Sequence, residues 1–235
     1  MRLVVTEKDN AARRIAAILS EDSASATQRR GVNVYRWGET RVIGLSGHVV
    51  GLDFPAEYDN WRDVEPVELI DADLVTEPTK DNIVQALEEL AAEAEEAIIA
   101  TDYDREGELI GKEAYELLDG AVETIERVRF SSITDREVRE AFATPDELDF
   151  DLAAAGEARQ IIDLMWGAAL TRFLSLTARQ LGTDFISVGR VQSPTLRLIV
   201  DREREIQAFD PESYWELTAE LAADEESFET QYFYQ

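Results

Sequence analysis

Residues 101–108 read TDYDREGE, which places Asp102, Asp104, Glu106 and Glu108 at alternate positions with Arg105 and Gly107 between them. Four negative charges this close repel one another, so a metal, a reaction or a plain acidic surface must account for them. Residues i and i+2 of an extended segment point the same way, so Asp102 and Asp104 can share a cation. Glu106 can reach the same point from the start of a following helix, whose N-terminus eases the crowding of negative charge. Carboxylate and water oxygens suit Mg²⁺. A calcium loop is the sharpest rival: Asp102, Asp104, Glu106, Gly107 and Glu113 nearly meet its spacing. Such a loop needs a helix directly before it, whereas Ile98 and Ile99 favour a strand.

Composition supports the plain acidic surface, because 50 Asp+Glu stand against 23 Lys+Arg, a formal net charge of −27. The lysines are Lys8, Lys80 and Lys112 alone, and the acids are spread along the whole chain. A distributed acid excess keeps a protein soluble where salt screens charge over short distances, which predicts a salt-rich cytoplasm. The competing reading is a chain that mimics or avoids nucleic acid, so net charge does not exclude a DNA-binding role. Cysteine is absent, which removes disulfides, thiolate catalysis and Cys-ligated zinc. The single histidine, His48, argues against a His-based metal site or a Ser-His triad. No run of about 18 apolar residues marks a membrane span, and no secretory signal is visible at the N-terminus.

The elements that must position these acids follow from periodicity. RLVVT (2–6) is a β-branched run that reads as a buried strand, with Glu7 just after it. DNAARRIAAILS reads as a helix that Asp9 can cap. VNVYRWGETRVIGLSG reads as a hairpin turning at Gly38. Residues 50–78, with Pro55, Pro66 and Pro78, read as loops with short strands. TKDNIVQALEELAAEAEE is an amphipathic helix, AIIATD a strand, REGELIGKEAYELL a helix, RVRFSSI a strand and TDREVREAFA a helix. This alternation predicts an α/β fold with a mainly parallel sheet and helices on both faces. Open parallel sheets gather ligands outside the carboxyl ends of their strands, where Glu7, Asp102 and Asp104 fall. Residues 151–208 then read as a mostly helical module broken at 182–189, with Trp166 in its core. SYWELTAEL and SFETQYFYQ read as strands, and the chain stops inside the second, as part of a longer protein would.

IIATDYDREGELIG resembles the metal motif of the toprim domain in its type IA DNA topoisomerase version. LVVTEKDNAARRIAAIL is similar to that family's opening strand, Glu and helix, and Glu7-Lys8 resembles the topoisomerase III-like branch. LSGHVVGLDFP resembles the family's Gly-His segment. AGEARQIIDLMWGAALTRFLS and SVGRVQSPTLRLIVDREREIQAF resemble the helical DNA-binding domain that follows toprim. The resemblance spans nearly the whole chain. It implies a toprim domain over 1–148 and the first part of the DNA-binding domain over 149–235.

The resemblance further implies an ATP-independent enzyme that breaks, passes and rejoins single DNA strands through a 5′-phosphotyrosine link. Glu7 would be the general acid for the leaving 3′-oxygen, and Lys8 would offset phosphate charge. Arg105 would pair with the acids or with the phosphate. Glu7, Asp102, Asp104 and Glu106 would hold Mg²⁺, while Glu108 reads as structural. His48, Arg159, Asp163, Ser187, Gly189, Arg190, Gln192 and Ser193 would meet the DNA. The partner would be single-stranded or negatively supercoiled DNA, with no nucleotide and no membrane, and the chain is expected to be monomeric and cytoplasmic. The family's nucleophilic Tyr has no counterpart motif among Tyr103, Tyr115, Tyr232 or Tyr234. A chain that only binds metal and single-stranded DNA, or a toprim nuclease or primase, are the alternative readings.

Overall fold

The computed structural model describes residues 1–223 and 226–232. Its centre is a six-stranded sheet in the order β2-β3-β4-β1-β7-β8. The strands are β1 (Arg2–Thr6), β2 (Ser25–Arg29), β3 (Val32–Trp37), β4 (Thr40–Gly44), β7 (Glu96–Ala100) and β8 (Thr124–Arg127). β1 runs parallel to β4 and β7, and β7 parallel to β8, while β2, β3 and β4 pair antiparallel. The sheet is therefore mainly parallel around β1 and β7, as the alternation predicts.

Period-two alternation along β1 builds two cores. Leu3 and Val5 face α2 (Asp81–Ala91) and α3 (Arg105–Leu118), meeting Ile83, Leu87, Leu90, Ile110 and Leu118. Val4 faces the opposite side, where α1 (Asp9–Ser20) and α4 (Asp135–Ala143) supply Ile15, Ala16 and Val138. Helices thus cover both faces. Between β4 and α2, β5 (Val50–Asp53) and β6 (Val75–Pro78) form a separate antiparallel pair.

Two local expectations change. The N-cap of α1 is Lys8, without a side-chain cap. The Asp9 carboxylate instead accepts from Tyr35 Oη at 3.0 Å and Asn33 Nδ2 at 3.2 Å, because β3 runs beside it. The strand expected over RVRFSSI ends at Arg127 and begins earlier, at Thr124; Val128 is still buried but lies beyond the ladder.

After α4, the long helix α5 (Phe150–Ala178) is capped by the Asp149 carboxylate, which accepts from Leu152 N. By length and composition α5 is apolar enough to cross a membrane. Part of its surface packs, and Ile162, Trp166, Phe173 and Leu174 stay exposed. Leu164, Met165 and Ala168 close a small core with Phe54, Leu69 and Ala72. Gly156 lies so close to α3 that a Cβ there would sit 2.5 Å from the Arg105 carbonyl oxygen. Trp166, expected in the core, is 56% exposed: apolar residues surround α5, so its period does not say which face is covered.

Contacts divide the chain into Met1–Arg190 and Val191–Gln235. The second unit holds α6 (Gln192–Ala208) and the antiparallel pair β9 (Leu217–Ala223) and β10 (Glu226–Tyr232). Phe233, Tyr234 and Gln235 lie outside the described residues.

Candidate active site

The carboxyl ends of β1 and β7 lie side by side, with Thr6 opposite Ala100 in the parallel register. Residues leaving these two strands therefore converge. Glu7, largely buried, accepts from Lys8 Nζ at 2.6 Å, and the same ammonium stands 3.9 Å from Asp102 Oδ2. Donating this hydrogen bond to Glu7 raises the pKa of Lys8. Burial, and after it the neighbouring Glu7 carboxylate, pushes Asp102 above the usual carboxylate range. Negative charge is crowded here beyond what Lys8 offsets.

The other acids of the motif have separate partners. Asp104, extended at the N-cap of α3, accepts from Gly107 N at 2.8 Å. A Cβ at Gly107 would sit 2.1 Å from the Asp102 carbonyl oxygen, so this turn admits only glycine. Glu106 Oε1 lies 2.8 Å from His48 Nε2, and His48 Nδ1 lies 2.5 Å from Glu113 Oε1. Glu113 also accepts from Val49 N at 3.1 Å, which ties the Gly-His segment to α3. Arg105 is exposed and makes no salt bridge among the described residues. A strand, not a helix, precedes the motif, so the calcium-loop alternative lacks its entering helix.

Among the described residues no three His, Asp or Glu side chains form a ready-made metal cage. The donor set nonetheless fits a hard divalent cation. All candidates are carboxylates, and Asp102 beside Glu7 is short of positive charge.

Hydrogen bonding to Glu113, with Glu106 adding and partial burial opposing, pushes the His48 pKa up to about 9 from an ordinary 6.5. The imidazolium then donates from both nitrogens. The folded value lies above the unfolded one, so this contribution to stability is complete below about pH 6.5 and is lost as pH rises through about 9. The shift corresponds to at most about 3 kcal/mol, and solvent screening at a 24% exposed side chain reduces it. Denaturant melts in EDTA should show stability falling between neutral and alkaline pH, and the fall should shrink in His48→Gln. An unchanged alkaline slope in that variant contradicts the assignment.

Behind the motif lies a buried pair that sequence reasoning missed. Arg127 and Glu108 are both fully buried, with Nε 2.6 Å from Glu108 Oε2. The Arg127 guanidinium also donates to the carbonyls of Thr101 at 2.9 Å, Val128 at 2.6 Å and Asp102 at 3.0 Å. Glu108 Oε1 accepts from Asp149 N at 3.2 Å, at the start of α5. Burial lowers the Arg127 pKa, and Glu108 opposes that. The pair therefore grips the main chain of the acid loop and joins it to α5. An acid within the otherwise buried run Gly107–Gly111 was the available signal.

On α5, Asp163 is shared by two arginines. Arg159 Nε stands 3.8 Å away, and Arg190 places Nε 2.8 Å from Oδ1 and Nη2 2.9 Å from Oδ2. The segment carrying Ser187, Gly189 and Arg190 follows α5: Ile186 N donates to Ser175 Oγ at 2.9 Å and Val188 N to Thr171 Oγ1 at 3.0 Å. Gln192 and Ser193 open α6 in the second unit, exposed.

Residues 2–133 match the Toprim domain and residues 147–234 the DNA topoisomerase family. DNA topoisomerase 1 of Archaeoglobus fulgidus is 50% identical over 223 residues, covering 93% of this chain and 34% of its own length. Human DNA topoisomerase 3-beta-1 is 35% identical over 254 residues, covering 95% and 29%. Full-length topoisomerase I from Thermotoga maritima superposes with a TM-score of 0.62 at 31% identity, over 92% of this chain and 32% of that one. The chain belongs to the toprim family and, within it, to the type IA DNA topoisomerases. It spans about a third of the length of these relatives.

Proposed function

We propose that this chain provides the metal-handling and strand-binding part of a type IA topoisomerase, which breaks and rejoins single DNA strands without ATP through a 5′-phosphotyrosine link. The observation that carries the reading is the meeting of Glu7, Lys8 and Asp102 at the adjacent ends of β1 and β7. In this reading residues 1–148 serve the scissile phosphate and residues 149–235 begin the DNA-binding domain. For cleavage Glu7 has to be in its protonated form, released from Lys8: it then donates that proton to the leaving 3′-oxygen while the attacking Tyr hydroxyl loses its own to solvent, and Lys8 is left to offset charge at the phosphate. Asp102, with Glu7, Asp104 and Glu106, would hold Mg²⁺, which when bound supplies positive charge that orients the phosphate and the 3′ end. Asp104 and Glu106 would exchange their present partners for it. Arg105, exposed at the start of α3, is free to meet phosphate, and His48, Arg159, Asp163, Ser187, Gly189, Arg190, Gln192 and Ser193 form the strand contacts.

The nucleophile is assigned outside this chain. Tyr103 lies under the Arg129 guanidinium at 5.3 Å, and Tyr115 packs edge-on against Phe150 at 5.4 Å. The partner is single-stranded or negatively supercoiled DNA, met by a monomer in a salt-rich cytoplasm.

In molar KCl with Mg²⁺, the chain should retain single-stranded oligonucleotide over duplex and should neither relax plasmid nor form a DNA adduct. Joining it to a family Tyr-bearing region should restore relaxation. Absence of single-strand retention would overturn the reading, as would an adduct on Tyr103 or Tyr115. Retention without restored relaxation would leave a binding module alone.

A further inference from the structure

The segment 186–190 runs antiparallel to α5, anchored at Ser175, at Thr171 and, through Arg190, at Asp163. From Asp163 to Ser175 the helix rises about 18 Å at about 1.5 Å per residue. Just beyond its far end, Asn60, Trp61, Arg62, Leu181, Gly182 and Phe185 line a cavity of about 460 Å³. The Trp61 and Phe185 rings meet edge to face with centroids 5.8 Å apart.

This aromatic wall is held in place. The largely buried Arg172 guanidinium stands 5.5 Å from the Trp61 centroid and 5.7 Å from that of Phe54, and it donates to the Tyr58 carbonyl. Asn60 bonds the Asp63 carboxylate and accepts from Arg62 N, which closes the turn that presents Trp61. Phe185 is nevertheless 46% exposed, and the Arg62 side chain has no ion-pair partner among the described residues. A fixed aromatic wall, left open and flanked by an unpaired guanidinium, matches a flat π-system that carries a phosphate.

We propose that this cavity is a stacking subsite for one base of a single DNA strand that follows segment 186–190 from Arg190, with Arg62 at the neighbouring phosphate. The proposal rests on the strand-binding reading above and adds a site to it. Stacking needs no particular base, because every base offers a π-face. It also survives the molar salt that would weaken phosphate contacts.

The test uses the whole chain in molar KCl. Fluorescence anisotropy follows an oligothymidylate of roughly twelve nucleotides, within the usual site sizes for single strands. Trp61→Ala and Phe185→Ala should each weaken binding about ten-fold or more, the expected loss of one stacked base. Trp61→Phe should recover most of it. Because an alanine variant can lose its fold, a second measurement uses the unaltered chain. Oligomers carrying a single 5-iodouracil at successive positions are photo-crosslinked, and the adduct is expected on Trp61 or Phe185 at one register. Crosslinks confined to other residues overturn the subsite, as do folded alanine variants that bind like the parent; both outcomes leave strand binding standing. No binding by the parent chain overturns the functional reading and the subsite together.

Discussion

Replacing Arg127 by Met should lower stability by about 3 kcal/mol or more, because the fully buried Glu108 carboxylate loses its 2.6 Å partner and keeps only the looser approach of Arg129, 3.6 Å away, among the described residues. For a chain of this size that is a fall in melting temperature on the order of 10 °C. The loss has a second component. The carbonyls of Thr101 and Asp102 lose their donor, so the acid loop slackens as well as the core. Arg127→Lys should rescue little, since an ammonium cannot reproduce the guanidinium's fork toward Glu108 and the carbonyls around it. The double replacement Arg127→Met/Glu108→Leu removes the stranded charge and should recover part of the stability, while leaving the loop carbonyls and Asp149 N without partners. Thermal melts of the three variants decide. If Arg127→Met melts within about 2 °C of the parent, the pair does not hold the loop.

Mg²⁺ should raise the melting temperature of the parent chain, and Asp102→Asn/Asp104→Asn should abolish that rise. At a hundred-fold excess over its dissociation constant a ligand stabilises by about 2.7 kcal/mol, a shift of roughly 5–10 °C here. The sign should reverse without metal. Asp102 is pushed toward its neutral form by burial and by Glu7, so its charge is a cost in the free chain. Asn at position 104 still caps α3, because its carbonyl can accept from Gly107 N as the carboxylate does. The double variant should therefore match or exceed the parent in EDTA and fall behind it in Mg²⁺. In a version of the protein that carries the Tyr-bearing region, religation should be lost with the Mg²⁺ response. Identical Mg²⁺ titrations of parent and variant would remove these two residues from the metal site.

The sheet and most of its helices were readable because β1 and β7 are short unbroken apolar runs and α1–α4 follow apolar residues at helical spacing, in a chain whose buried residues are mainly Val, Ile, Leu and Ala. β2 was not: Ser-Ala-Thr-Gln-Arg is a polar strand that pairs with β3 at the edge of the sheet. The positions of Glu7, Asp102 and Asp104 followed from strand ends, yet their partners did not. Glu106 and Glu113 meet His48 from 58 and 65 residues away, and no spacing within the motif foretells that. Arg127 was equally hidden, since a charged residue in a strand ordinarily faces solvent and only the acid on α3 gives it reason to turn inward. Asp9 shows the converse, a good helix cap by sequence that tertiary neighbours draw elsewhere.

The sharing of Asp163 between Arg159 and Arg190 sets the character of any encounter with a phosphodiester there. Arg190 holds the carboxylate through a hydrogen bond from Nη2, and Arg159 approaches it more loosely at 3.8 Å. An arriving phosphate has to evict the carboxylate from the guanidinium fork, so docking becomes the exchange of one anion for another. Few condensed ions need leave the DNA for that exchange, and the salt dependence of affinity should be shallower than the number of arginines implies. In the strand-binding reading the same swap makes this one point self-screening: with no strand present Arg159 and Arg190 face Asp163, and stray anions of a concentrated electrolyte gain little by entering. Selectivity then rests on a ligand that can offer several phosphates and bases at once, a multivalency that a free ion lacks.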